Sequence, residues 1–239
     1  MPRSRVSLLG WVVAISFIAG TALTYMDRLN LFATPPNLPD SANMIDRAIG
    51  NAAYREAIWP VFLWTNLAFA IGFVAAAVFA WAVAARSRVA GGLPVFTALV
   101  TVGGIISAIA AVMYIGSVNG AVWQLYCDCG FKQTEIVAGI WAGTVMQDTS
   151  DWLSRFAGVV LGLGLVALVR EGSGLLSPTL RMWTYLSAIA LAATAVLSTI
   201  GGSVGQSSDL LSTLTGVILI PVFAVWLART IDAPSAVPA

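Results

Sequence analysis

Residues 57–85 read AIWPVFLWTNLAFAIGFVAAAVFAWAVAA, and no charged side chain interrupts them until Arg86 and Arg88. A helix needs about 20 apolar residues, at about 1.5 Å of rise each, to cross a hydrocarbon core of about 30 Å. This stretch exceeds that requirement, so it spans a membrane with tilt or with one end raised into the interface. Trp59 and Trp64 stand toward one end and Trp81 toward the other, as amphipathic rings do at the two headgroup levels. A helix that is apolar all round has no water-facing side, which marks it as membrane-spanning or deeply buried.

The rest of the chain has the same character. Charged residues make up 10% of 239 positions, against about 25% in a water-soluble domain, and mean hydropathy is +0.88. A formal net charge of +1 with no basic patch offers nucleic acid no surface. The chain contains no histidine. That removes His-ligated haem, most zinc and copper sites, and Ser or Cys nucleophiles paired to a His base. The one lysine, Lys132, lies outside the apolar runs, so no retinal Schiff base is buried in a bundle. No phosphate-binding glycine loop, paired catalytic carboxylates or nucleotide fingerprint stands in a fitting context. The expectation is a protein that is not an enzyme, with no cofactor and no metal.

Outward from the first stretch, five more spans are predicted. MPRSR precedes an uncharged run at 6–26, too long for a signal-peptide core and without a small-x-small cleavage site, so it is read as a retained first span. The second span covers 59–84, the third 93–118, the fifth 182–201 and the sixth 210–228. The fourth is the short one: only 156–169 is uncharged, and a helix reaching about 20 residues must start near Asp151, with Arg155 one turn inside. Pro221 predicts a kink late in the sixth span, which neighbouring helices accommodate. Residues 85–92, 170–181 and 201–209 read as short turns.

Two loops are long. In 27–56, Pro35, Pro36 and Pro39 break regular helix. After them, Met44, Ile45, Ala48 and Ala52 fall opposite Asp46, Arg47, Asn51 and Arg55, which predicts an amphipathic helix on the membrane surface. The loop 119–151 holds both cysteines in YCDCGF. Ile136, Val137, Ile140 and Trp141 predict a second short helix there, ending before Asp148. Arginines cluster beside the span ends on the side carrying both termini (Arg3, Arg5, Arg86, Arg88, Arg170, Arg181, Arg229). The positive-inside rule then places both termini in the cytoplasm and both long loops outside. The predicted fold is an all-α polytopic transmembrane helical bundle of six spans, N-in and C-in, forming one integral membrane domain over 1–239.

Three groups of residues are candidates for chemistry. Cys127 and Cys129 lie in an outer loop, where disulfides persist. They form a structural disulfide or stay as two thiols, act as a strained and labile redox pair, or bind a soft metal with Met113 or Met146. Asn66, beside Thr65, is the most polar group well inside the second span, and serves as an interhelical contact or lines a cavity. Asp148, Asp151 and Arg155 form a charge cluster at the outer mouth of the fourth span. The structural reading is an acid near a helix start plus an i,i+4 ion pair. Proton relays need an acid deep in a span, and no predicted span holds one. Gly158 and Gly162 make a GxxxG pair, which favours close helix packing.

The layout resembles a bacterial and actinobacterial family of six-span membrane proteins known only as a domain of unknown function. The similar features are the loop helix feeding the second span (SANMIDRAIGNAAYREAIWP) and the segment around the fourth (DTSDWLSRFAGVVLGLGLV). The turn SGLLSPTLRMW and the late proline of LIPVFAVWLA continue the likeness, which covers most of the chain. YCDCGF departs from it. The resemblance implies a fold and a location in the bacterial cytoplasmic membrane, and no activity. The expected function is a non-catalytic accessory, structural or sensory subunit that binds a membrane protein partner, a second copy of itself or a lipid-like ligand. The alternatives are a small permease for an apolar or weakly polar solute, and a membrane thiol-redox protein using Cys127 and Cys129.

Overall fold

The apolar run 57–85 supplies the body of α2 (Trp59–Arg86). The computed structural model describes residues 4–34, 37, 39, 47, 50, 54, 56–87, 89, 91–126, 133–200 and 202–232. The other main elements are α1 (Ser4–Arg28), α3 (Pro94–Tyr126), α4 (Gln133–Glu171), α5 (Pro178–Ile200), α6 (Gly202–Leu214) and α7 (Ile220–Asp232). A π-helical turn, Thr215–Leu219, joins α6 to α7. Among the described residues six helices are long and apolar enough to cross a membrane: Arg5–Arg28, Trp59–Arg86, Pro94–Ser117, Ala138–Glu171, Pro178–Ile200 and Ser208–Asp232. No strand occurs among the described residues.

The fourth span differs most from expectation. In place of a short loop helix and a separate span starting near Asp151, α4 is one helix of 39 residues. The polar run Gln147–Asp148–Thr149 ends apolarity but not helicity. The third span likewise continues past 118 as helix to Tyr126. Residues 202–209, expected to be a turn, are helical. The predicted surface helix around 44–52 falls largely outside the described residues.

Consecutive helices pack side by side, and the sixth span returns to α1, closing a ring. The ring wears its apolar residues outward: Ile71, Val74, Val78 and Trp81 on α2, and Val102, Ile105, Ile109 and Val112 on α3, are exposed. Water would penalise such a surface, while lipid does not, and contiguous apolar patches of this size mark a membrane-facing wall. Helices in lipid associate through close backbone approach at small residues. A Cβ added at Gly104 would stand 2.7 Å from the Phe73 carbonyl oxygen of α2, and one at Gly162 would stand 2.9 Å from the Ala188 oxygen of α5. The GxxxG pair Gly158/Gly162 therefore serves the α4–α5 contact within the chain.

Polar links fasten the ends of the ring and fix its threading. At one end, Asp232 accepts a bond from the Ser7 backbone N–H at 3.1 Å and pairs with Arg86 at 3.4 Å. Glu171 at the foot of α4 caps α3, accepting from the N–H groups of Val95 and Phe96 at 3.0 Å each. Those N–H groups belong to a helix start and have no intrahelical partner. Arg181 donates to the carbonyls of Leu176, at 3.1 Å, and Ser173. At the other end Arg28 pairs with Asp209 at 2.9 Å, and Tyr54 donates to Asp27 at 2.9 Å. The start of α1 and the end of α7 thus share one face of the bundle.

The π turn explains how Pro221 is tolerated. A proline ring clashes with the carbonyl four residues back and supplies no N–H. The widened turn just before it has the Ile220 N–H donating to the Thr215 carbonyl, five residues back. The predicted kink at Pro221 is thus absorbed one turn earlier.

Candidate functional site

The ring is filled unevenly along its axis. Toward the face bearing the chain ends it is packed with apolar side chains; Val6, Val83, Leu168 and Leu227 are fully buried. Above them a small apolar void of about 60 Å³ touches Val13, Phe79, Phe96 and Phe223. In the opposite half the ring opens into a cavity of about 300 Å³, the lower end of the range for small-molecule pockets.

The cavity has a polar rim and an apolar floor. Phe17, Phe73, Leu161 and Leu191 line both the cavity and the void below it, so they form the floor between them. Phe17 meets Phe73 edge-on at 5.0 Å and Phe69 at 6.1 Å, a preferred aromatic arrangement. With about 1.5 Å of rise per residue, Arg28, Arg155 and Ser198 lie about two to three turns nearer the mouth than the floor residues of their own helices, Phe17, Leu161 and Leu191. Arg28 and Asp209 hold each other at 2.9 Å.

Hydroxyls from several helices line the wall. Thr24, Thr215 and Ser198 donate to carbonyls of their own helices, at 2.9, 2.7 and 2.9 Å. That is the usual resource of Ser and Thr in a helix, and it leaves each oxygen free to accept. Thr194 differs: its Oγ1 is buried and makes no hydrogen bond. A buried hydroxyl without a partner costs about 1–3 kcal/mol. Gly216, in the π turn, lines the cavity, and any Cβ there would collide with the Thr21 hydroxyl. Single π turns occur often at functional sites.

Of the residues singled out from sequence as candidates for chemistry, Arg155 lines this cavity, as does Gly158 of the GxxxG pair. Its guanidinium lies 5.1 Å from the centroid of the Trp152 ring, within cation–π range. The expected i,i+4 ion pair with Asp151 does not form: no carboxylate among the described residues comes within 4.0 Å of Arg155. Nor do Asp148 and Asp151 cap a helix start, because α4 begins at Gln133 and runs straight through them. Asn66 donates from Nδ2 to the Phe62 carbonyl of its own helix at 2.9 Å, and neither it nor Thr65 lines the cavity. Cys127 and Cys129 lie outside the described residues.

Arg28, Asp209 and the hydroxyl residues had no signal in the sequence. The hydroxyls are scattered over several separate segments, and only ring closure brings them together. Among the described residues no group of three or more His, Cys, Asp or Glu is placed to hold a metal ion.

The fold and the cavity define a multi-pass membrane protein with a closed ring of helices and a largely apolar pocket with a polar rim. No protein-family model, curated protein or solved structure matches the chain.

Proposed function

We propose that this is a non-catalytic protein of a bacterial cytoplasmic membrane that holds a small ligand inside its helix ring, as a receptor or sensory subunit. Membership of the six-span family resembled by the sequence, and the orientation with both termini cytoplasmic, belong to the same proposal. The observation that carries it is the cavity itself, with a polar rim, an apolar floor and a closed far side. Pockets of this make-up, concave and largely apolar with a few convergent polar groups, are where proteins hold small molecules. The packed half beneath the floor supports binding without passage.

The test is a thermal-stability screen of the full chain in detergent against small amphiphiles. A ligand that binds only the folded state raises the melting temperature by mass action. Ser107, buried and on the cavity wall, gives the control: Ser107→Phe fills the space and abolishes the rise. No stabilising compound, or stabilisation that Ser107→Phe leaves intact, contradicts the proposal.

A permease for a weakly polar solute is the second reading. It is favoured by the alignment of cavity and void on one axis, with only four side chains common to both. Flux of a bound compound into proteoliposomes, lost in Ser107→Phe, selects it over the receptor.

A further inference from the structure

We infer that the ligand of this cavity is an organic anion with an apolar body, its carboxylate-like head at Arg155 and its body on the Phe17–Phe73–Leu161–Leu191 floor. This rests on the proposed ligand-binding function and adds the charge and shape of what is bound.

The charge follows from the residues around the cavity. Two arginines and one aspartate line it. Asp209 is committed to Arg28 at 2.9 Å, which leaves Arg155 as the lining cation without a salt-bridge partner among the described residues. Asp151, one turn back on the same helix, interacts with it electrostatically, but stands beyond 4.0 Å and does not line the cavity. An ionised group within a membrane-spanning helix is costly unless it meets an opposite charge or water. Trp152 covers one face of the guanidinium. A cation–π contact uses that face and leaves the N–H edge available, the edge that binds a carboxylate or phosphate in two parallel bonds.

The shape follows from the floor. Leu161 is six residues from Arg155 on α4, so the backbone levels of head and floor are about 9 Å apart along the helix. That distance suits a body of about five or six carbons, and the cavity of about 300 Å³ excludes a two-chain lipid. Phe17, Phe69 and Phe73 offer edges and faces to an apolar body and nothing to a polar one.

The experiment uses the full chain in phosphatidylcholine nanodiscs at neutral pH, with radiolabelled hexanoate as probe. Hexanol and hexylamine, of the same length, compete as neutral and cationic partners, and acetate competes as a head without a body. The expected result is saturable hexanoate binding displaced by none of the three at equal concentration. Arg155→Gln weakens it roughly tenfold or more, through loss of the charge-assisted contact, and Arg155→Lys, which keeps the charge but not the two-bond edge, falls between Arg155→Gln and wild type. Arg155→Gln is compared at a matched melting temperature, so that loss of fold is not read as loss of binding. Equal affinity for hexanol, or Arg155→Gln and wild type binding hexanoate alike, overturns the anion assignment. Binding of hexanol or hexylamine alone, blocked by Ser107→Phe, overturns it and leaves the cavity as a binding site. Acetate displacing hexanoate at equal concentration removes the role of the floor. Binding of none of the probes overturns both readings.

Discussion

Asp232, in the last turn of α7, stands 3.4 Å from Arg86, in the last turn of α2, with 15% and 19% of their side chains exposed. The same carboxylate accepts the Ser7 N–H of α1 at 3.1 Å. One acid thus ties three helix ends into one face of the bundle. Removing it leaves a half-buried guanidinium and a backbone N–H without their partner. Asp232→Ala is expected to cost about 1–3 kcal/mol, read as a lower melting temperature in detergent. Asp232→Asn, which keeps an acceptor for Ser7, is expected to lose less.

The cap at the foot of α3 predicts a smaller effect. Glu171→Ala removes the acceptor for two helix-start N–H groups and is expected to cost about 1 kcal/mol. Glu171→Gln keeps one acceptor oxygen and recovers part of that loss. Equal melting temperatures for all three proteins would show that water caps the helix as well.

Close backbone approach predicts steric sensitivity at Gly104. Its added Cβ would face a carbonyl oxygen of the neighbouring helix at 2.7 Å, and backbone moves only if α2 and α3 part. Gly104→Ala is expected to destabilise by about 1–3 kcal/mol. Gly174, with nothing within 4 Å of an added Cβ, is the control, and Gly174→Ala is expected to change the melting temperature little.

Tyr54 gives a prediction in pH. Its phenol is pushed up to about 12 from the ordinary 10.0, first by burial, then by its hydrogen bond to Asp27 and by that residue's charge. A raised pKa on an acid means the folded protein favours the protonated form. The stability this contributes is complete below the unfolded value near 10 and is lost as pH rises through about 12. In ultraviolet titration, the difference between wild type and Tyr54→Phe is expected to show one phenol ionising near 12. Asp27→Asn brings that ionisation down toward 10.

How far the sequence announces all this depends on what each signal measures. Hydropathy measures contact with lipid, so α2 and α1 are legible to within a few residues of their ends: 59–84 against Trp59–Arg86, and 6–26 against Ser4–Arg28. It is silent on a helix that continues beyond the lipid. Gln147, Asp148 and Asp151 therefore hid the continuity of α4. Spacing reports which residues share a helix face, not which rotamer they take. Asp151 and Arg155 sit at i,i+4, yet the guanidinium turns to Trp152 and the cavity. Asn66 was the deepest amide in any run, and it bonds to its own helix. The cavity itself was illegible, because Thr194, Ser107 and Asp209 acquire meaning only when six helices close into a ring.

The six long apolar helices suit lipid, and the proposed orientation puts Leu29 and the cavity mouth on the outer side and the turn at Ser173 on the cytoplasmic side. Three spans separate those exposed positions, and the long α4 is one of them. With Cys127 and Cys129 changed to Ser, single variants Leu29→Cys and Ser173→Cys can be probed with a membrane-impermeant thiol reagent. The account predicts labelling of Leu29→Cys in intact cells and of Ser173→Cys only after the membrane is opened. Labelling of both from one side, or recovery of the protein without detergent, contradicts it.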